Sequence, residues 1–178
     1  MKRAVVKSRA VFFDRDGVIN RAIVRDGKPY PPATLTEFEF TDSIKSVQRG
    51  LIERGFILFI FTNQPDVARG DQTVANLDVI HGFIQQYLPV EKIYVCMHDD
   101  ADDCQCRKPR PGMLLQAARE YDLDLGGSFV VGDRWRDISA GKAAGCRTIL
   151  IDYGYNETMR DEPDVKIQAV AEVLEFAN

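Results

Sequence analysis

Val11-Phe12-Phe13-Asp14-Arg15-Asp16-Gly17-Val18-Ile19-Asn20 is an apolar run that stops abruptly at two aspartates one residue apart. Val11, Phe12 and Phe13 suit a strand buried on both faces of a parallel sheet, and ligands of such sheets collect just beyond the carboxyl ends of the strands. Asp14 and Asp16 stand at that end. Alternation along extended backbone sends both carboxylates the same way, and Gly17 lets the chain turn at once so that backbone N–H groups face an anion. Two acids beside such a nest make a site for phosphoryl chemistry. A solvated strand end or helix cap is the plain alternative, and the rest of the chain decides between them.

Each later apolar strand also ends in polar groups that such a site needs. Phe56-Ile57-Leu58-Phe59-Ile60-Phe61 runs into Thr62-Asn63-Gln64, Ile93-Tyr94-Val95 into Cys96, and Ser128-Phe129-Val130-Val131-Gly132 into Asp133. Thr148-Ile149-Leu150-Ile151 reads as a fifth strand. Helical stripes fall between them: Ile44, Val47 and Leu51 after Asp42 as a cap; Val74, Leu77, Ile80, Ile84 and Leu88; residues 112–121; and a small-residue helix over 139–144. Ile167, Val170, Val173 and Leu174 mark a last helix. Strand-helix-strand repeats of this kind imply parallel pairing with right-handed crossovers, and 178 residues suit one α/β domain over the whole chain, 1–178.

The remaining stretches read as connections. Residues 21–40 are polar, and the Pro and Gly of Asp26-Gly27-Lys28-Pro29-Tyr30-Pro31-Pro32 argue against regular structure there. This stretch leaves from the catalytic end, is too short for a separate cap domain, and is expected to lie over a substrate. Residues 65–71 read as a loop, and residues 152–164 as a polar loop without assigned role. His81 beside the helical stripe reads as structural or solvated, Cys146 as a buried small side chain, and Trp135 as a substrate wall or a core cover.

A net charge of −4 supplies no basic field for nucleic acid, and no stretch reaches membrane-spanning length. The start, Met1-Lys2-Arg3-Ala4-Val5-Val6-Lys7, has no sustained apolar run, so the expectation is a cytoplasmic protein. Three of the four cysteines, Cys96, Cys104 and Cys106, crowd around His98 in a short acidic loop with almost no apolar content. A Cys3His set suits tetrahedral Zn2+ with no open position, which makes the zinc structural. Arg107 and Lys108 follow the last ligand, and Pro109 and Pro111 stiffen the segment. The metal loop would therefore aim two cations from a fixed point, Lys108 at a transferring phosphoryl group and Arg107 at another part of the substrate. Phosphomonoesters repel an attacking carboxylate unless a hard cation intervenes, so Asp14 and Asp133 are expected to hold Mg2+, with Asp16 moving protons.

The pattern D-x-D-G-V-I-N, Thr62, Lys108 and Gly132-Asp133 with Asp137 resembles the four motifs of the haloacid dehalogenase (HAD) superfamily over nearly the whole chain. That resemblance implies a Rossmann-like three-layer sandwich around a mostly parallel sheet, capless here. It implies Asp14 as nucleophile, Asp16 as acid/base with its backbone carbonyl as a further Mg2+ ligand, Thr62 and Lys108 on the phosphoryl group, and Asp137 in support. Within the superfamily, T-N-Q, the C-x-H…C-x-C loop and R-K-P-x-P-G-M are similar to the branch that holds heptose-bisphosphate and histidinol-phosphate phosphatases. The branch implies removal of the 7-phosphate of a heptose 1,7-bisphosphate, with histidinol phosphate or another small sugar or polyol phosphate as the alternative substrate. It implies Asn63, Gln64, Arg107 and Arg134 as substrate-binding residues and a small phosphorylated molecule as the partner of a monomer. Pro65-Asp66 and Arg134 depart from the branch pattern, at positions that touch specificity and spare the catalytic set. A zinc-stabilised protein that binds a phosphorylated ligand without hydrolysing it is the rival from another class.

Overall fold

The computed structural model describes residues 7–177. The reading of the chain start therefore falls largely on residues 1–6, outside the described residues. β1 (Arg9–Phe13) lies inside a six-stranded sheet between β4 (Phe56–Asn63) and β6 (Phe129–Gly132). β5 (Lys92–Cys96) flanks β4, while β7 (Arg147–Ile151) and β8 (Val165–Ile167) extend the other side, giving the order β5-β4-β1-β6-β7-β8. All five pairings are parallel. Phe13 stands opposite Ile60 on one side and Val131 on the other, so the carboxyl ends of the three central strands reach the same level.

Alternation along β1 divides the core in two. Val11 and Phe13 face a cluster with Ile44 and Val47 of α1 (Ile44–Glu53). A short helix, α2 (Asp66–Arg69), precedes α3 (Val74–Tyr87), which adds Ile80 and Ile84 to the same cluster. Ala10 and Phe12 face Met113 and Leu114 of α4 (Gly112–Tyr121) and Ala140 of α5 (Trp135–Ala144). α6 (Val173–Phe176) closes the first cluster with Val173. The result is the expected three layers. No helix among the described residues is long and apolar enough to cross a membrane.

Four local expectations are corrected. Residues 21–40 are not irregular throughout: β2 (Ile23–Arg25) and β3 (Lys28–Tyr30) form an antiparallel hairpin. Its turn is Asp26-Gly27 with φ 50° and 71°, the left-handed pair that a tight hairpin turn requires, and Pro29 is tolerated because a two-stranded ribbon has free edges. Asp42 does not cap α1; it pairs with Arg21 at 2.9 Å, and Ser43 takes the cap position in a left-handed conformation. Part of residues 65–71 is helical, as α2. Ile167 belongs to the sixth strand and not to the last helix, which is a single turn after a short 3-10 segment.

Candidate active site

The chain leaves β1 through a tight turn in which the Ile19 and Asn20 amides donate to the Arg15 carbonyl and the Gly17 amide to the Asn20 carbonyl. These amides thus close the turn itself, whereas the Arg15 and Asp16 N–H groups make no bond within it. Gly17 is required for another reason. Its φ is 96°, and a Cβ there would stand 1.9 Å from Asp133 Oδ2, so only glycine lets the turn after β1 and the end of β6 close together. Gly132 does the same for Asp137, whose Cβ would meet an added methyl at 2.2 Å.

The close approach brings Asp14, Asp133 and Asp137 together, all buried, with one carboxylate oxygen from each within 4.8 Å of the others. Lys108 Nζ donates to Asp14 at 2.7 Å, to Asp137 at 2.6 Å and to the Phe61 carbonyl at 3.0 Å. One ammonium among three carboxylates leaves an excess of negative charge. Burial first, then Asp137, pushes Asp14 up to about 7 against the pull of Lys108. Burial, with Asp14 and Asp137, holds Asp133 well above the carboxylate range against a smaller downward pull from Tyr155, and both of its oxygens are buried with no partner at hydrogen-bond distance among the described residues. Burial opposes the charge on Lys108, but Asp137 and Asp14 outweigh it and its pKa rises. An all-oxygen donor set short of positive charge, with two unpartnered oxygens, fits a hard divalent cation. Asp137, expected only in support, contributes to this group directly, whereas the Asp16 carboxylate stands outside it.

Asp16 is held from three sides. Arg15 forks onto it at 3.0 to 3.2 Å, Asn20 Nδ2 donates at 3.0 Å and Gln64 Nε2 at 2.8 Å. Gln64 also donates to Thr62 Oγ1 at 2.8 Å, and both side chains are buried away from the cavity. Gln64, expected on the substrate, thus orients Asp16, and Thr62 faces Gln64. Asn63 reaches the cavity wall, but its amide brackets Lys108, donating to the Lys108 carbonyl at 3.1 Å and accepting from the Lys108 amide at 3.0 Å. The motif after β4 therefore builds the positions of Asp16 and Lys108.

The cavity has a volume of about 370 Å3, with Asp14, Asp16 and Lys108 in its lining. Arg107 and Arg134, expected on the substrate, both line it. Arg107 is fixed by Asp100 at 2.7 Å and by the His98 carbonyl at 3.2 Å, and Arg134 by Glu157, to which its Nε donates at 2.7 Å. The hairpin supplies Lys28 and Tyr30 to the lining, so residues 21–40 do border the cavity.

Cys96, His98, Cys104 and Cys106 also converge, with sulfur–sulfur separations of 3.2 to 3.6 Å and His98 Nδ1 3.3 Å from Cys106. A tetrahedron with bonds of about 2.3 Å has edges of ~3.8 Å; these separations are somewhat shorter, and the four donors converge on one point as a four-ligand metal site requires. The acidic residues of this loop are not idle. Asp99 receives a fork from Arg69 at 2.7 Å, and Asp100 joins Arg107 to Arg136 at 3.1 Å.

Sequence reading missed Glu157, Asp100 and Arg136. Only the density of acids in the metal loop hinted at Asp100; nothing local marks Glu157 within a polar loop. Trp135 lies under the Arg160 guanidinium, 3.9 Å from its ring centre, and does not line the cavity. Cys146 is buried, which pushes its thiol up to about 12.

Comparison with known proteins agrees with this arrangement. Residues 105–176 match the HAD-hydrolase-like family model. The D-glycero-alpha-D-manno-heptose-1,7-bisphosphate 7-phosphatase of Campylobacter jejuni is 38% identical over 151 residues, covering 82% of this chain and 83% of that protein. The D-glycero-beta-D-manno-heptose-1,7-bisphosphate 7-phosphatase of Bordetella bronchiseptica is 34% identical over 151 residues, covering 82% of each. A crystal structure of the D,D-heptose 1,7-bisphosphate phosphatase of B. bronchiseptica, complexed with magnesium and phosphate, superposes with a TM-score of 0.76 at 31% identity. It covers 94% of this chain and 96% of that one. With the buried acids Asp14, Asp133 and Asp137 gathered at the strand ends and Lys108 bonded to two of them, these likenesses place the chain in the HAD-like hydrolase family, among the heptose-bisphosphate phosphatases, as a phosphoric monoester hydrolase.

Proposed function

We propose that the chain is a Mg2+-dependent phosphomonoesterase that acts through an aspartyl-phosphate on Asp14 and removes the 7-phosphate of D-glycero-D-manno-heptose 1,7-bisphosphate. The observation that carries this reading is the buried contact of Lys108 with Asp14 and Asp137 at the floor of a cavity walled by arginines. Asp14, Asp133 and Asp137 would hold Mg2+, with the Asp16 carbonyl as a further ligand. Bound there, the ion would offset the repulsion between the dianionic ester and the attacking carboxylate.

The chain's own groups divide the remaining work. Asp14 attacks phosphorus, and Lys108 balances the charge that gathers on the phosphoryl oxygens. Asp16 gives a proton to the departing sugar oxygen, then takes one from the water that cleaves the acyl-phosphate. Thr62 and Gln64 act through Asp16, and Asn63 keeps Lys108 in place. Arg107 and Arg134, each steadied by a carboxylate, meet the rest of the sugar. Cys96, His98, Cys104 and Cys106 would hold Zn2+ as a structural ion that fixes Arg107 and Lys108.

The relatives named for the alpha and the beta anomer support a heptose bisphosphate substrate. None of the four cysteines is in a disulfide, which supports a reducing cytoplasm as the location. The test is phosphate release, with Mg2+, from both heptose-1,7-bisphosphate anomers, histidinol phosphate and a panel of small sugar phosphates. Strong preference for one heptose anomer is expected. Preference for histidinol phosphate, or weak uniform turnover, would overturn the substrate, and ligand binding without release by the wild type would overturn the enzyme.

A further inference from the structure

Arg15 separates the two aspartates in the chain, yet its side chain is wholly buried, at 0% exposure. A guanidinium carries five N–H donors and no acceptor, so in the interior it must find acceptors. Nε and Nη2 find them on Asp16. Nη1 meets His81 Nε2 at 3.1 Å, and His81 is itself buried in α3. Because arginine keeps its protons, Nε2 is the acceptor in this contact, which places the single ring proton on Nδ1.

The fork of Arg15 on Asp16 sets the plane of the carboxylate that Asn20 and Gln64 complete. Arg15 and Asp16 are chain neighbours, so the fork is short and its direction depends on what stops the guanidinium at its far end. His81 is that stop. Neither Arg15 nor His81 lines the cavity, so neither meets the substrate.

We propose that His81 is a positioning residue for proton transfer: its Nε2 anchors the Arg15 guanidinium, and through that fork fixes the direction in which Asp16 presents its oxygen to the leaving group. The inference rests on the reading of Asp16 as the acid/base. Misplacing a reacting group by about 1 Å costs up to ~100-fold in rate, and a general acid contributes about 100-fold or more. The effect must therefore depend on how much the leaving group needs a proton.

The test compares His81→Leu, which keeps bulk without an acceptor, with His81→Gln, whose amide oxygen accepts where Nε2 does. For a sugar phosphate that the wild type hydrolyses, His81→Leu should lower kcat/KM on the order of ten-fold or more. For p-nitrophenyl phosphate, whose phenolate departs without a proton, it should stay within about two-fold. His81→Gln should recover most of the sugar-phosphate value. Equal losses on both esters, no loss on either, or a Gln variant no better than Leu would overturn the proposal. Nitrogen NMR of the wild type gives a second reading independent of folding of the variants and of turnover: Nδ1 protonated and Nε2 bare is expected, and the opposite tautomer overturns it. Absence of wild-type hydrolysis of both esters would instead remove the phosphatase reading, while the NMR result still decides the His81–Arg15 contact.

Discussion

The Lys108 ammonium lies 2.7 Å from the Asp14 carboxylate across ninety-four positions of sequence, both side chains buried. Asp137 shares the same ammonium at 2.6 Å. Removing one partner of a buried ion pair costs about 3–5 kcal/mol when the other stays charged. Lys108→Met is expected to lower stability by about 3 kcal/mol in urea unfolding and to lower phosphate release at least ~100-fold. Wild-type stability in that variant would show that the carboxylates do not depend on the lysine.

The metal loop makes a separate prediction. With Cys104→Ser the set of four donors loses one, and the loop has little apolar content to hold its shape. Metal analysis should find less zinc per chain than in the wild type, the melting temperature should fall, and KM should rise as Arg107 loses its fixed base. Unchanged zinc content and KM would separate the loop from substrate binding.

Stability should also depend on pH through His81. Burial first, then the Arg15 charge, lowers its pKa from 6.5 to about 4, against a smaller upward pull from Asp16. Below pH 6.5 the unfolded chain takes up a proton that the folded chain refuses, so stability is fully present above that pH and is lost as the pH falls toward 4. The loss approaches ~3 kcal/mol. Urea unfolding at pH 7 and pH 4.5 should show a larger drop for the wild type than for His81→Gln, in which this titration is absent. Equal drops would mean that His81 takes up its proton in the folded chain.

Much of this arrangement was legible in the sequence because buried parallel strands leave a simple trace. Asp14, Asp133 and Cys96 each end an apolar run where the sheet meets the site, and the grouping of His98, Cys104 and Cys106 just before Lys108 marked the rest, so these residues could be named before any coordinates. The hairpin escaped because Ile23–Arg25 and Lys28–Tyr30 are three residues each and Pro29 argues against a strand, although Asp26-Gly27 was a turn signal in plain view. β8 escaped because three residues after a long polar loop carry no period. Asn63 and Gln64 were placed on the substrate by the family resemblance. Their amides instead meet Lys108 and Asp16, and that choice depends on which partners the tertiary fold brings near. His81 gave no signal beyond one imidazole on an apolar helix, and its contact with Arg15 exists only because α3 covers the turn after β1.

The most direct measurement is acid quench of the wild type within milliseconds of mixing with Mg2+ and heptose 1,7-bisphosphate, followed by mass spectrometry of the peptide that carries residues 11–17. The account predicts a phosphoryl adduct on Asp14 that forms and decays at rates matching phosphate release, and is absent from Asp14→Asn together with turnover. Full-rate phosphate release with no adduct, or undiminished turnover by Asp14→Asn, would contradict it.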